Sequence, residues 1–286
     1  MKNFLKKTSL FLVTAAMTVS APLMAWALEH DIVILHTNDI HCGINDNIGF
    51  AGLAQIKKDT LARTPNVALV DAGDAIQGAP IGKLSRGLAV VDIMNYLGYD
   101  FCIPGNHEFD YGMDRFLELV PLQRAGYYCA NLVYTGNNKQ VLPGYKIMQY
   151  EDTKVAFIGA STPESLTTST PTFFQNEKGK YIYSFCEDKT GNKLYKQLQK
   201  NVDKARKDGA DYVFIVGHLG MDGTTPQWSS ESVAKNTQGV DAVIDGHSHE
   251  RFTRMVKNKV GKDVLLAQTG TKLKTVGELV ITPDGK

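Results

Sequence analysis

The sequence is poor in cysteine and has no large excess of charge of either sign. Four of its 286 residues are cysteines, with no Cys-x-x-Cys pair, which argues against a zinc site built from thiolates. The formal net charge is +1, so no global attraction draws the chain toward nucleic-acid polymers or anionic membranes. Internal repeats and low-complexity linkers are also missing. Apolar residues make up 43% and charged residues 21%, as in an ordinary globular protein that can bury one large core or two smaller ones.

Long apolar runs are absent except at the N-terminus. Three lysines precede an uncharged apolar stretch that ends in Ala25-Trp26-Ala27, a small-x-small pattern typical of signal peptide cleavage. We therefore expect residues 1–27 to be a secretory signal peptide and 28–286 to be the mature domain, with a net charge of −2 after loss of the lysines. The alternative is a retained membrane anchor, because the stretch is near spanning length. We expect an exported protein, periplasmic, cell-surface or extracellular, with no stable membrane span after cleavage.

The cysteines have two interpretations. An exported chain could pair them as disulfides, whereas Cys102 and Cys129 lie inside apolar runs, where a buried cysteine behaves as a small hydrophobic residue. The pairing of these two, of Cys42 and of Cys186 is left open. Cys42 adjoins a candidate metal ligand, but neighbouring side chains usually point in different directions, so we do not expect it to bind metal.

Apolar, β-branched runs recur along the chain, with helical segments between several of them. The predicted strands are Asp31–Thr37, Val67–Ala72, Phe101–Pro104, Tyr127–Asn131, Lys154–Ala160, Tyr212–Val216, Ala242–Asp245, Val264–Gln268 and Glu278–Thr282. The predicted helices are Leu53–Arg63, Val90–Leu97, Asp114–Ala125, Lys193–Lys207 and Ser230–Asn236. This alternation indicates an α/β core. Periodicity alone does not separate one doubly wound sheet from two stacked sheets.

Five short segments that follow hydrophobic runs carry residues able to bind metal. They are Asp39-Ile40-His41, Gly73-Asp74, Gly105-Asn106-His107-Glu108, Gly217-His218 and Gly246-His247-Ser248-His249, and they hold five of the seven histidines. Loops beyond the carboxyl ends of neighbouring strands can converge on one crevice. Carboxylates and imidazoles suit zinc, manganese or iron, and two adjacent ions can activate a water and neutralise a phosphate. The pattern therefore predicts a two-metal phosphoesterase.

Three single residues have simpler interpretations. Asp74 could be the N-cap of a following helix rather than a ligand. His36 lies within the first predicted strand, where we expect a hydrogen-bonded core histidine. His30 is expected to belong to a disordered flank.

The same segments carry a family resemblance. Leu35-His36-Thr37-Asn38-Asp39-Ile40-His41, the Gly73 to Gly78 run, the Gly105 to Gly112 run, His218-Leu219-Gly220 and the Gly246 to His249 run resemble, in order, the motifs of the bacterial and animal 5′-nucleotidase family. That family lies within the calcineurin-like metallophosphoesterase superfamily. The resemblance covers essentially the whole mature chain and implies a four-layer α/β/β/α sandwich.

The resemblance also implies roles for individual residues. One ion would be held by Asp39, His41, Asp74 and His249, and a second by Asp74, Asn106, His218 and His247. Some relatives have glutamine at the position of His249. His107 resembles the catalytic histidine, oriented by Asp110, and would stabilise phosphoryl charge or assist the leaving group. A metal-activated hydroxide would attack in line, with the two ions, zinc, manganese or similar, holding the phosphate.

The resemblance leaves the substrate open. The family usually has a second, C-terminal domain that binds the nucleoside; we expect it to be absent from this chain, which would then be a fragment, and no substrate-binding residue is assigned. A 5′-nucleotidase-like activity on nucleotide monoesters is the first hypothesis. A 2′,3′-cyclic-nucleotide phosphodiesterase or a sugar-nucleotide pyrophosphohydrolase is the second. An exported binding or surface protein without turnover is the third, and the complete His107–Asp110 pair and ligand set count against it.

Overall fold

The computed structural model describes residues 28–221 and 224–284. The predicted signal peptide lies outside the described residues. The strands of the described part are β1 Ile32–Thr37, β2 Asn66–Asp71, β3 Phe101–Cys102, β4 Val133–Tyr134, β5 Tyr145–Tyr150, β6 Thr153–Ser161, β7 Tyr183–Ser184, β8 Tyr212–His218, β9 Ala242–Ile244, β10 Arg251–Lys257, β11 Asp263–Thr269 and β12 Gly277–Ile281. The α-helices are α1 Gly49–Arg63, α2 Pro80–Ser85, α3 Leu88–Leu97, α4 Met113–Leu119, α5 Ser165–Thr168, α6 Asn192–Lys207 and α7 Ser230–Asn236. Short 3-10 segments cover His107–Phe109, Val120–Leu122, Pro171–Phe174 and Pro226–Trp228.

Two mixed sheets form the centre of the molecule. The first has the order β12-β1-β2-β3 and the second β10-β11-β9-β8-β6-β5, while β4 and β7 form a separate pair. The inner strands of both sheets are parallel, and β12, β10 and β5 add antiparallel edges. Parallel strands end together, so the loops that follow them meet at one edge of each sheet.

The two sheets stack face to face between helices, which confirms the expected four layers. Alternate residues of β1 pack on opposite faces of the first sheet. Ile32 and Ile34 lie in the core between the sheets, whereas Val33 and Leu35 lie in the outer core beside α1 and α3. This period of two is that of a strand buried on both faces. Across the interface the Phe101 and Phe157 rings lie 5.7 Å apart.

A third core covers the outer face of the second sheet, under α6 and α7. Leu194, Leu198, Val202 and Ala205 of α6 are all buried there, as expected from their near-helical spacing. Helix α7 begins with Ser229 as its N-cap, whose side chain accepts the backbone N–H of Ser232, and it has the predicted bounds.

One predicted strand is wrong. Residues Tyr127–Asn131 are buried or nearly so but make only one bridge, between Tyr127 and Cys102. The next backbone N–H groups donate in turn to Cys102, Pro143 and Gly159, so no single neighbouring strand accepts them. The prediction also missed β4, β5, β7 and β10. The last of these is an edge strand with no fully buried residue and therefore no strong hydrophobic pattern.

One predicted helix is too long. Asp114–Ala125 was expected as a continuous helix, whereas α4 ends at Leu119 and continues as a 3-10 turn through Leu122. Pro121 explains the change, because it has no N–H for the helical ladder. The other predicted helices differ from the structure by at most four residues at their starts.

The four cysteines are free thiols, and Cys42, Cys102 and Cys129 are buried. Among the described residues, no helix combines the length and the apolar character needed to cross a bilayer.

Candidate metal centre

The candidate ligands follow the carboxyl ends of strands from both sheets. The loop after β1 runs beside the loop after β2, since the Asp39 N–H donates to the Gly73 carbonyl at 2.9 Å and the His41 N–H donates to the Asp74 carbonyl at 2.8 Å. His218 is the last residue of β8, two residues beyond the predicted strand end. The parallel packing therefore brings residues that are far apart in sequence to one edge.

The backbone in these loops is conformationally unusual. Five of the seven candidate ligands have positive φ angles, a region that residues other than glycine rarely adopt; these are Asp39, His41, Asp74, His247 and His249, at 51°, 48°, 59°, 81° and 57°. Such strained positions cluster at functional sites, where the surrounding structure enforces them. Gly105 has a different reason to be glycine: a Cβ atom there would lie 2.2 Å from Asp74 Oδ1.

Asp74 lies at the centre of the site. Its Oδ1 atom accepts the His107 N–H at 2.8 Å, and its Oδ2 atom lies 3.0 Å from His218 Nε2 and 3.9 Å from His41 Nε2. The alternative N-cap role is wrong, because the next helix is capped by Ala79.

Three groups of side chains in the described residues could each hold a metal ion, with ligand atoms within 4.8 Å of one another. They are Asp39 with His41 and His249, Asp39 with Asp74 and His218, and His41 with Asp74 and His107. The Nε2 atoms of His41 and His249 lie 3.0 Å apart. Two imidazoles that each lie about 2.1 Å from one ion have nitrogens about 3.0 to 3.4 Å apart, for octahedral and tetrahedral geometry respectively. These two rings therefore fit a shared ion. His107, expected to be catalytic rather than a ligand, lies close enough to join the third group.

Two buried polar atoms at the site lack hydrogen-bond partners among the described residues, namely Asn106 Oδ1 and His218 Nε2. The contact of His218 Nε2 with Asp74 at 3.0 Å is close but poorly directed for a hydrogen bond. The other ring nitrogen, Nδ1, lies 2.8 Å from the Ala72 carbonyl, so it keeps a proton there and Nε2 is the ring atom that faces the site. Buried polar atoms without partners are costly, and a metal ion would satisfy both.

The charges of the site are strongly coupled. Burial lowers the pKa of His218, but Asp74 and Asp39 raise it to about 10. Burial likewise raises the pKa of Asp74, but the imidazoles of His218, His107 and His41 pull it below its ordinary value. Without metal, protons on the imidazoles therefore balance the carboxylates. A divalent ion must displace these protons, so metal binding weakens as pH falls.

His107 and Asp110 form a close pair at the rim. The Nδ1 atom of His107 lies 2.6 Å from Asp110 Oδ2, a contact that does not involve Nε2. The hydrogen bond to Asp110 raises the pKa of His107 to about 9, against the effect of burial. His107 can therefore carry a positive charge at neutral pH.

Two carboxylates that the sequence analysis did not assign support the site. Glu108 is buried and accepts the backbone N–H groups of Asp74, Ala75 and Ile76 and of Gly105 at 2.6 to 3.3 Å. These hydrogen bonds join the loops after β2 and β3.

Glu164 is the second supporting carboxylate and lies 2.9 Å from His247 Nε2. Hydrogen bonds from His247 and Thr225 lower the pKa of Glu164 to about 2, although burial opposes this. Glu164 lies just after β6, as the candidate ligands lie just after their own strands. That position in the sequence was the signal that could have identified it.

Three histidines, His30, His36 and His247, lie outside the three groups, as does Cys42. Of these, only His247 was predicted to be a ligand, and its ring centroid lies 5.0 Å from that of His218. His36 is buried as expected, but its Nδ1 atom has no hydrogen-bond partner in the described part of the chain. His30 is not a disordered flank, since its Nδ1 lies 2.9 Å from Glu151 Oε1. Burial raises the pKa of the Cys42 thiol to about 11, so it stays protonated and is a poor metal ligand.

The sequence model of the calcineurin-like phosphoesterases matches residues 32–251, which include every candidate ligand. The chain belongs to the calcineurin-like phosphoesterase family. The resemblance noted in the sequence is thus confirmed at the level of the family. The Asp and His groups described above agree with divalent metal as its cofactor.

Known proteins similar to this calcineurin-like phosphoesterase include nucleotidases. It is 28% identical to a snake venom 5′-nucleotidase of Gloydius brevicauda over 97% of this chain and 49% of that protein. It is 26% identical to a 2′,3′-cyclic-nucleotide 2′-phosphodiesterase/3′-nucleotidase of Haemophilus influenzae, over 84% and 40%. The structure of a 5′-nucleotidase precursor from Thermus thermophilus superposes with a TM-score of 0.74 at 26% identity, covering 90% of this chain and 52% of that one. The chain spans about half the length of the curated relatives it matches.

Proposed function

We propose that the protein is an exported two-metal phosphohydrolase that hydrolyses phosphate monoesters of nucleotides. Asp39, His41, Asp74 and His249 would hold one ion, and Asp74, Asn106, His218 and His247 would hold the other. The export part rests on the lysine-containing N-terminus, its apolar run and Ala25-Trp26-Ala27. The nucleotide part is supported by the similarity to 5′-nucleotidases.

The observation that carries the proposal is the setting of Asp74. Its Oδ2 atom lies 3.9 Å from His41 Nε2 and 3.0 Å from His218 Nε2. Asn106 Oδ1 and His218 Nε2 are buried and have no hydrogen-bond partner in the described part of the chain. A carboxylate in that position can bridge two ions. His107 is placed outside the proposed ligand set because it resembles the catalytic histidine of the family and is paired with Asp110 as that resemblance implies.

In this proposal the ions and the surrounding side chains have separate roles in the reaction. When bound, two divalent ions supply a nucleophile from water and neutralise charge on the phosphoryl group. Asp110 holds His107 in the tautomer and orientation that leave its Nε2 facing the site. A protonated His107 donates a hydrogen bond to a phosphoryl oxygen or a proton to the leaving group. Glu108 fixes the loops that carry Asp74 and Asn106, so the ligands are preorganised.

A second candidate function is a phosphodiesterase acting on 2′,3′-cyclic nucleotides, favoured by the similarity to the Haemophilus influenzae enzyme. Pyrophosphohydrolysis of a sugar nucleotide would use the same ions. These reactions share the metal centre and differ in the leaving group, so activity on separate substrates must decide between them.

The test is metal-titrated hydrolysis by the purified protein. Metal-free protein should be inactive and should recover phosphatase activity on an aryl phosphate with two equivalents of Mn²⁺ or Zn²⁺. Adenosine monophosphate, 2′,3′-cyclic AMP and a uridine diphosphate sugar are then compared at equal concentration. Preference for the cyclic or the sugar nucleotide would select the second candidate. Absence of any metal-dependent hydrolysis would refute the proposal and favour a binding protein.

A further inference from the structure

His247 is held at both ends. Its backbone N–H donates to the Asp39 carboxylate, 3.0 Å from Oδ2, and its ring Nε2 lies 2.9 Å from Glu164 Oε2. The two contacts link His247 to both sheets, because Asp39 follows β1 of the first sheet and Glu164 follows β6 of the second. His247 also has a strained backbone, with φ at 81°, which these contacts help to maintain.

Glu164 is itself immobilised. Its other oxygen, Oε1, accepts the Thr225 N–H at 2.6 Å and the Thr225 hydroxyl at 2.5 Å. The side chains of Glu164 and His247 are 17% and 12% exposed, so water competes little with this contact. A carboxylate cannot donate a hydrogen bond when ionised, so the proton of the contact must reside on His247 Nε2. The Nδ1 lone pair of His247 is then free for another partner.

This arrangement is the reverse of that in two other proposed ligands. His41 and His218 each place Nδ1 against a backbone carbonyl, Gln77 at 3.2 Å and Ala72 at 2.8 Å, and leave Nε2 for the site. His247 places Nε2 against an outer acceptor and leaves Nδ1. Its acceptor is also a carboxylate rather than a neutral carbonyl, which makes the imidazole more basic and a stronger ligand.

We propose that Glu164 is a positioning residue for the second metal: it fixes His247 in the Nε2–H tautomer and turns Nδ1 toward the ion shared with Asp74, Asn106 and His218. The inference rests on the proposed function and names the residue that sets the affinity of its second ion. Glu164 does not contact the metal or the substrate in this proposal. It acts through His247 alone.

The test combines metal affinity with a metal-free readout. Isothermal titration of metal-free protein with Mn²⁺ should resolve two equivalents. Glu164→Ala should weaken the second by about 10–100-fold, the usual effect of losing such an outer partner, and leave the first unchanged. Glu164→Gln should weaken it less, because the amide oxygen can still accept from Nε2. In metal-free protein, ¹⁵N NMR of His247 should show the Nε2–H tautomer in the wild type and a mixture of tautomers in Glu164→Ala.

Glu187→Ala is the matched control. Glu187 also accepts one hydroxyl and one backbone N–H, from Ser184 at 2.7 Å and from Phe185 at 2.9 Å, but the structure gives it no contact with an imidazole. It should lose stability without a change in metal affinity or in the His247 tautomer. An unchanged second equivalent and an unchanged tautomer in folded Glu164→Ala would overturn the proposal. Failure of the proposed function would look different: the wild type would bind fewer than two ions, and the NMR tautomer would still decide the role of Glu164.

Discussion

The Nδ1 atom of His107 lies 2.6 Å from Asp110 Oδ2, and this contact is the largest cause of the raised His107 pKa of about 9. Asp110 is in turn held by the Ser169 hydroxyl, 3.3 Å from its other oxygen. The contact thus favours the protonated imidazole of His107 at the rim of the metal centre, with the Asp110 carboxylate balancing its charge. Its position suits a group that meets a phosphoryl oxygen or a leaving group.

The first prediction concerns pH. The imidazolium of His107 is present below its pKa and lost above it, so kcat/KM should fall as pH rises through that value. Bound divalent ions repel this charge, so the fall in the metal-loaded enzyme should lie somewhat below pH 9. Asp110→Asn removes the largest cause of the shift, and its alkaline limb should move toward the ordinary value of 6.5. Profiles of kcat/KM against pH with an aryl phosphate measure the alkaline limb of the wild type and of Asp110→Asn. If the two limbs lay at the same pH, this account of His107 would be wrong.

The second prediction separates catalysis from metal binding at His107. His107→Ala should retain two metal equivalents and lose roughly 10²–10⁴-fold in turnover, the usual contribution of a positioned acid. The measurement pairs metal analysis with kcat. His30→Ala is the control, since His30 is an exposed histidine whose Nδ1 contacts Glu151, and it should change neither quantity. Loss of a metal equivalent in His107→Ala would make His107 a ligand, as its proximity to His41 and Asp74 permits.

The assembly of the centre could be predicted because it depends on strand direction. Asp39 and Asp74 follow adjacent parallel strands, and any two such positions lie at the same edge of a sheet. His218 ends β8 and His247 follows β9, the adjacent parallel strand of the second sheet. These two residues meet the first pair because the two sheets stack on each other. Hydrophobic periodicity left that stacking open, whereas the family resemblance implied it.

The supporting residues could not be predicted in the same way. Glu108 looks in sequence like one more acid of a metal-binding motif, whereas its carboxylate faces backbone N–H groups behind Asp74. Glu164 lies 83 residues from His247 in sequence, and no local pattern connects them. The buried Tyr127–Asn131 run looks like a strand by composition, but its backbone partners belong to separate segments. These features depend on tertiary contacts, which residue types and spacing do not specify.

The third prediction tests the bridging role of Asp74. Asp74→Asn keeps the size of the side chain and removes the charge that both proposed ions share, so it should reduce bound metal below two equivalents and harm turnover more than any other single ligand change. Metal analysis and kcat of the purified variant are the measurements. His249→Gln is the comparison, since His249 is proposed to hold only one ion and its side chain is 46% exposed. Two tightly held ions in Asp74→Asn would refute the bridge.

The fourth prediction concerns export. If residues 1–27 are a cleaved signal peptide, N-terminal sequencing of the exported protein should begin near Leu28. Ala27→Lys, which places a long charged side chain in the small-residue position of the cleavage pattern, should slow processing. Recovery of Met1 or Lys2 on membrane-bound, exported protein would favour a retained anchor.

The fifth prediction concerns Glu108 as the link between two ligand loops. Glu108 is 1% exposed, and its carboxylate accepts the N–H groups of Asp74, Ala75 and Ile76 on one loop and of Gly105 on the other. An unsatisfied buried N–H costs about 1–3 kcal/mol, so Glu108→Ala should lower the free energy of unfolding of the metal-free protein by about 3 kcal/mol or more. Metal affinity should fall as well, because Asp74 and Asn106 lose their common anchor.

Urea unfolding and metal titration measure these two effects of Glu108. Glu118→Ala is the matched control: Glu118 lies on α4, its side chain is 63% exposed, and it pairs with Arg115 at 2.8 Å, so its loss should cost no more than about 1 kcal/mol. Glu108→Gln provides a milder variant, in which one oxygen still accepts while the amide group faces backbone donors. It should fall between the wild type and Glu108→Ala in both measurements. If Glu108→Ala unfolded at the same urea concentration as the wild type, the N–H groups would have other acceptors and the link between the loops would not depend on Glu108.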